Sequence, residues 1–107
     1  SSRLVVSGNS AFFSSNNSFI GRINSKNGKI VFLKEFTGKR WVKYHGPLLL
    51  QNQLLVLATD KNAYWFSPED GRLLNKEKLG KKISSPPIVV NKRLMFVSED
   101  GMLNILN

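Results

Sequence analysis

The chain has 107 residues, with 16 Lys+Arg against 7 Asp+Glu for a net charge of +9, and it contains no cysteine. Disulfide and thiolate chemistry are therefore excluded, and no apolar run approaches the roughly 20 residues that a membrane-spanning helix needs. The excess of positive charge invites an acidic protein, nucleic acid or an anionic membrane, although lysines dispersed over a solvated surface are the plainer reading.

Taken in chain order, short apolar runs alternate with turn residues and no helical periodicity emerges. Leu4 to Ser7, Ser10 to Ser15, Phe19 to Asn24 and Lys29 to Phe36 read as four strands, with Gly8-Asn9 and Asn27-Gly28 among the turns. Thr37 to Tyr44 is a basic connection carrying Trp41, expected to pack under the unit that follows. Pro47 to Leu50, Gln53 to Thr59, Asn62 to Ser67 and Arg72 to Leu79 form a second set of four strands. Its first three strands are apolar, whereas the fourth alternates polar and apolar residues like an outer strand. Ser67-Pro68-Glu69-Asp70-Gly71 is a hairpin loop whose glycine takes positive φ. After a second basic connection, Gly80 to Ser85, the strands Ile88 to Val90, Arg93 to Glu99 and Met102 to Leu106 follow, and no fourth strand completes this set.

The three sets overlay without gaps, at offsets of 43 and then 40 residues. Asn27-Gly28 recurs as Asp70-Gly71, and Asn17 recurs as Asp60 and Asp100. Gly8-Asn9 becomes Gln51-Asn52 and then Asn91-Lys92, while Phe12-Phe13 becomes Leu55-Val56 and Met95-Phe96. A period of about 40–45 residues with several short strands per unit is the signature of a β-propeller blade. The fold class expected is all-β, with about two and a half four-stranded antiparallel blades from a larger propeller. The expected divisions are 1–39 for the first blade, 40–82 for the second and 83–107 for an incomplete last blade lacking its outer strand. An unfilled outer position leaves an open sheet edge, so edge-to-edge self-association of the chain is expected.

Catalytic constellations are absent from the sequence. Asp60, Glu69, Asp70, Glu99 and Asp100 sit in or beside turns, where a carboxylate serves the backbone. His45, the only histidine, is read as a loop residue before Gly46-Pro47, and without cysteine it makes a poor zinc ligand set. No G-x-S-x-G and no glycine-rich phosphate loop occurs. No catalytic, cofactor-binding or metal-binding residue is assigned. Aromatic residues beside basic ones (Trp41 with Arg40; Tyr64, Trp65 and Phe66) fit blade packing better than base stacking, so nucleic acid is not an expected partner. The candidate binding residues are basic: Lys39, Arg40 and Lys43 in the first connection, Lys81 and Lys82 in the second. Equivalent connections of successive blades share one face of a propeller, so this face is expected to meet an acidic partner protein or anionic lipid headgroups.

The stretch Ser67 to Leu74, followed by Ser85 to Leu106 with Pro87 and Asp100-Gly101-Met102-Leu103, resembles the quinoprotein (PQQ-like) propeller repeat. Pro47 and Pro87 hold its blade-opening place, and Asp60 and Asp100 its second turn. That repeat carries tryptophan on the outer strand four residues after the turn glycine, where this chain has Phe32 and Asn75. Phe32 can fill the hydrophobic slot; Asn75 cannot. The whole chain also resembles the C-terminal blades of the BamB family, eight-bladed periplasmic lipoproteins of the outer-membrane β-barrel assembly machinery. The resemblance implies a non-catalytic scaffold that binds BamA through its POTRA domains and assists unfolded barrel precursors. It also implies a periplasmic, outer-membrane-associated location, with membrane attachment through an N-terminal lipid outside this sequence. Two alternatives remain open: the end of a PQQ-dependent oxidoreductase whose cofactor lies in other blades, and a ligand-sensing propeller domain.

Overall fold

The structure is a computed structural model that describes residues 3–14, 19–35 and 42–106. Eleven strands occur there in chain order: β1 (Arg3–Ser7), β2 (Ser10–Ser14), β3 (Phe19–Asn24), β4 (Ile30–Glu35), β5 (Tyr44–Leu50), β6 (Gln53–Ala58), β7 (Asn62–Phe66), β8 (Leu73–Lys78), β9 (Ile88–Val90), β10 (Arg93–Val97) and β11 (Leu103–Leu106). They form three antiparallel meanders, β1-β2-β3-β4, β5-β6-β7-β8 and β9-β10-β11. No helix occurs among the described residues.

The turns explain why the chain folds this way. The first hairpin of the second and third sheets places two successive residues at positive φ, Gln51 and Asn52 (51° and 58°) and Asn91 and Lys92 (51° and 64°). This geometry matches the right-handed twist of the flanking strands, which a left-turning pair of residues satisfies and an ordinary turn does not. In the first sheet Gly8 supplies the positive φ, at 57°. The third turn is duplicated atom for atom. Gly28 N–H donates to Asn24 C=O at 2.8 Å, and Gly71 N–H to Ser67 C=O at 2.9 Å. Asn27 and Asp70 each accept the backbone N–H two residues on through Oδ1, at 2.9 Å in both cases. The register shift that follows falls at Arg22/Ile23 in one sheet and at Trp65/Phe66 in the other, again 43 residues apart.

Period-two alternation then sorts the side chains of β6 onto two faces. Leu54, Val56 and Ala58 join Phe12, Ile20, Phe32, Tyr44, Tyr64 and Phe66 in one core against the first sheet. Leu55 and Leu57 join Leu48, Leu50 and Ala63 in another, closed by Ile83, Leu94 and Phe96 of the third unit. All five β6 side chains from Leu54 to Ala58 are completely buried. The middle sheet is thus sandwiched, with each of its faces supplying more than half of a separate core.

Polar contacts lock the first sheet to the second. The Ser14 hydroxyl donates to Gly46 C=O. Arg22 donates from Nη1 to Pro68 C=O at 2.9 Å and from Nε to Ser10 Oγ at 2.9 Å, while its guanidinium lies 5.6 Å from the Phe12 ring centre. Phe32, buried on the otherwise exposed β4, lies against Gly71 so closely that a Cβ there would stand 2.7 Å from its ring. Phe32 therefore takes the docking role that its place in the repeat suggested, and Asn75, its counterpart on β8, is exposed.

One expectation needs correction. His45 is a strand residue: β5 begins at Tyr44, three residues earlier than read, with His45 opposite Leu57. A register shift between His45 and Leu48 accommodates Gly46-Pro47, because a bulge tolerates a proline that a regular ladder would not. β8 is the polar outer strand expected. Five of its six residues are exposed, since this outer strand lies beyond the reach of the neighbouring sheets. Trp41 lies outside the described residues.

Candidate partner-binding site

Lys43 immediately precedes β5, and its backbone is tied to the end of β6. Its N–H donates to Thr59 Oγ1 at 2.9 Å, and Thr59 N–H donates back to Lys43 C=O at 2.9 Å. This reciprocal pair fixes the entry of the chain into the second sheet. Lys81 and Lys82 follow β8, where Ile83 bridges to Ser98 and drops its side chain into the second core. Ile83 thereby anchors the two lysines at the rim of the junction between the second and third sheets.

The structure brings Lys43 and Lys82 together. They line one open cavity of about 340 Å³ with His45, Thr59, Ile83, Ser84 and Glu99. Lys82 also borders a smaller cavity of about 190 Å³ with Lys61, Lys81, Ser98, Glu99 and Asp100. Lys39 and Arg40 lie outside the described residues. The basic cluster is not a bare positive patch, because Lys81 pairs with Asp100 at 3.0 Å and Lys82 with Glu99 at 3.6 Å. Among the described residues neither Lys43 nor Lys61 makes a salt bridge, so these two cations lack the compensation that Lys81 and Lys82 have.

Several contributors were not legible as site residues: His45, Thr59, Lys61, Ser84 and Glu99. The repeat held a usable signal, since Thr59-Asp60-Lys61 and Glu99-Asp100-Gly101 are the same turn in successive units. Both turns lie at the end of the sheets where the connections run. Asp60 accepts the Tyr64 hydroxyl at 2.5 Å and the Asn62 N–H at 3.1 Å. Asp100 accepts the Ser98 hydroxyl and the Met102 N–H, besides holding Lys81. Within the described residues no three His, Asp or Glu side chains gather as metal ligands.

Titration follows from these contacts. Hydrogen bonds from Ser98 and Lys81 hold the Asp100 carboxyl down at about 2. Burial, then nearby positive charge including Lys43, pushes the His45 imidazole below its ordinary 6.5. Both shifts are downward, so the unfolded chain binds more protons in the window between the folded and unfolded values. The His45 contribution is complete above pH 6.5 and is lost as pH falls below it. The Asp100 contribution is complete above 3.8 and is lost as pH falls through about 2. Asp70, held down by the Arg72 N–H, adds to the lower loss. We therefore expect two separate acid-side losses of stability, with Asp100→Asn reducing the lower one and His45→Gln removing the upper, read by unfolding midpoints across the pH series.

No protein-family model matches the sequence, and the search of curated proteins returns no match. The fold, however, has clear counterparts among solved structures. The crystal structure of BamB from Moraxella catarrhalis superposes with a TM-score of 0.81 at 16% identity, over 96% of this chain and 31% of that one. The chain is a run of propeller blades. The WD40 propeller domain of Doa1 gives a TM-score of 0.73 at 19% identity, over 98% of this chain and 36% of its own. The WD40 domain of SCAP from fission yeast gives 0.63 at 17% identity, over 92% and 28%. The chain spans about a third of the length of these propellers. Each meander is accordingly one blade, and the cavity lined by Lys43 and Lys82 lies at the junction between the second and third blades.

Proposed function

We propose that this chain is part of a non-catalytic propeller scaffold that binds partner proteins in outer-membrane β-barrel assembly, in the manner of BamB. The superposition on BamB over 96% of the chain, with a TM-score of 0.81, carries this reading. It is supported by the segment order and turn positions that the sequence shares with the C-terminal blades of that family. In this reading the protein is periplasmic and attached to the outer membrane through an N-terminal lipid outside this sequence. Its partners are BamA-like POTRA domains and unfolded barrel precursors. The basic residues of the inter-blade connections, Lys39, Arg40, Lys43, Lys81 and Lys82, contribute to the binding face.

Titration calorimetry of the protein carrying this chain against the POTRA domains of its host's BamA tests the proposal. Saturable binding that weakens between about 50 and 200 mM salt is expected, since exposed charges are screened over that range. Charge reversal at Lys43, Lys81 and Lys82 should weaken it further and flatten the salt dependence. Absence of binding at any salt concentration would refute the assignment to barrel assembly.

A further inference from the structure

The cavity at the junction of the second and third blades has a donor arrangement that neither the repeat nor the fold requires. Lys43 and Lys82 approach it from different blade connections, and Thr59 and Ser84 add hydroxyls. The two hydroxyls are not equivalent. Ser84 spends its proton on the carbonyls of Val97 and Ser98, at 3.2 and 3.4 Å, and is left as an acceptor. Thr59 Oγ1 accepts from Lys43 N–H, which leaves its own proton to donate. His45, partly buried on β5, forms the inner wall with Ile83. Glu99 balances Lys82 across 3.6 Å, so Lys43 gives the cavity its net positive charge.

We infer that this cavity receives an acidic side chain from an extended segment of a partner protein, with Lys43 and Lys82 pairing with the carboxylate and Thr59 donating a hydrogen bond to it. The inference rests on the scaffold reading and adds to it the chemistry of one contact. Three features favour a carboxylate on a protein over a lipid headgroup. The cations, exposed themselves, border a shared recess of about 340 Å³ instead of standing apart on a flat surface. One of them is already shared with Glu99, so a single additional carboxylate completes a Lys82-centred bridge. The walls, finally, combine an aliphatic side chain with hydroxyls and an imidazole, a lining that suits the stem and head of a glutamate.

Amide chemical-shift mapping on the full chain tests this, with a capped Gly-Ser-Glu-Glu-Ser-Gly peptide, its glutamine counterpart and phosphatidylglycerol vesicles as probes. The acidic peptide should shift Lys43, His45, Thr59 and Ser84, and the glutamine peptide should not. The pair Lys43→Glu with Lys82→Glu should weaken the acidic peptide by about tenfold or more, since each lost charge-assisted contact is replaced by repulsion. Lys43→Gln with Lys82→Gln, a milder pair on exposed side chains, should do so by a smaller factor, and Lys76→Glu with Lys78→Glu on β8 should do nothing. Equal response to the two peptides, shifts confined to another surface, or a response to vesicles alone would overturn the inference. Photo-crosslinking separates its failure from that of the scaffold reading. Partner crosslinks from positions 69 and 74 beside a cavity blind to glutamate would overturn the carboxylate site and leave the scaffold intact. No protein crosslink from any blade would overturn both.

Discussion

Leu55→Ala is expected to lower the unfolding free energy by about 2–5 kcal/mol, the range for removing a fully buried leucine and leaving part of its volume empty. Leu55 is completely buried in the core between the second and third blades, against Leu48, Ile83 and Leu94 among others. The upper half of that range is expected because the site cannot easily collapse. Its own strand is held from behind by Leu54 and Val56, which pack into the other core. Urea unfolding of the chain would measure the change, with a lower midpoint and little change of slope. Leu74→Ala on β8, where the side chain is exposed, should stay within about 0.5 kcal/mol. A Leu55 effect as small as that of Leu74 would mean that the second and third blades do not pack as described.

The second large effect concerns how one blade grips the next. Gly28 and Gly71 occupy the same place in the repeat, with φ of 73° and 77°. An alanine at either pays the left-handed backbone cost of about 1–2 kcal/mol. Their surroundings differ: a Cβ at Gly28 meets nothing within 4 Å, whereas one at Gly71 would stand 2.7 Å from Phe32 Cδ1 and 2.8 Å from Lys34 Cγ. Gly71→Ala should therefore destabilise more than Gly28→Ala, the excess coming from the displaced Phe32 ring. Phe32→Ala by itself should cost about 3 kcal/mol, the low end for a buried phenylalanine, because the ring lies at the rim of its core. In the Phe32→Ala background the excess cost of Gly71→Ala should largely disappear, a coupling that a double-mutant cycle reads directly. Equal penalties at the two glycines in the parent chain would disprove the docking of Phe32 on the following blade.

Strand order and blade repetition were legible because the turns are chemically explicit. Asn27-Gly28 and Asp70-Gly71 announce a left-handed residue after a side-chain acceptor, and the structure uses both in the same way. Gln51 and Lys92 adopt positive φ without being turn formers by type, and only their alignment with Gly8-Asn9 revealed them. The start of β5 was hidden because Gly46-Pro47 reads as a strand terminator, yet pairing resumes at Leu48 after the bulge. His45 was consequently assigned to the wrong environment. The candidate site was half legible. The lysines stood out by charge, but their compensation by Glu99 and Asp100 depends on the connection folding back over the third blade, a contact that pairs residues 82 with 99 and 81 with 100. Lone residues such as Thr59 and Ser84 carry no local sign of lining a cavity, since they are placed by hydrogen bonds to residues distant in sequence, Thr59 with Lys43 and Ser84 with Val97 and Ser98.

The paired bends at 24–29 and 67–72 superimpose their hydrogen bonds although they share only the glycine at 28 and 71. The bend therefore requires an acceptor at its first and fourth places and a residue able to take positive φ at its fifth. The other side chains of the bend differ between the two copies, and the Pro68 carbonyl, a main-chain group, accepts from an arginine of the preceding blade. A contact made to the main chain at such a seam survives replacement of the side chain that sits there, so the grip of one blade on the next does not depend on the identity of residue 68.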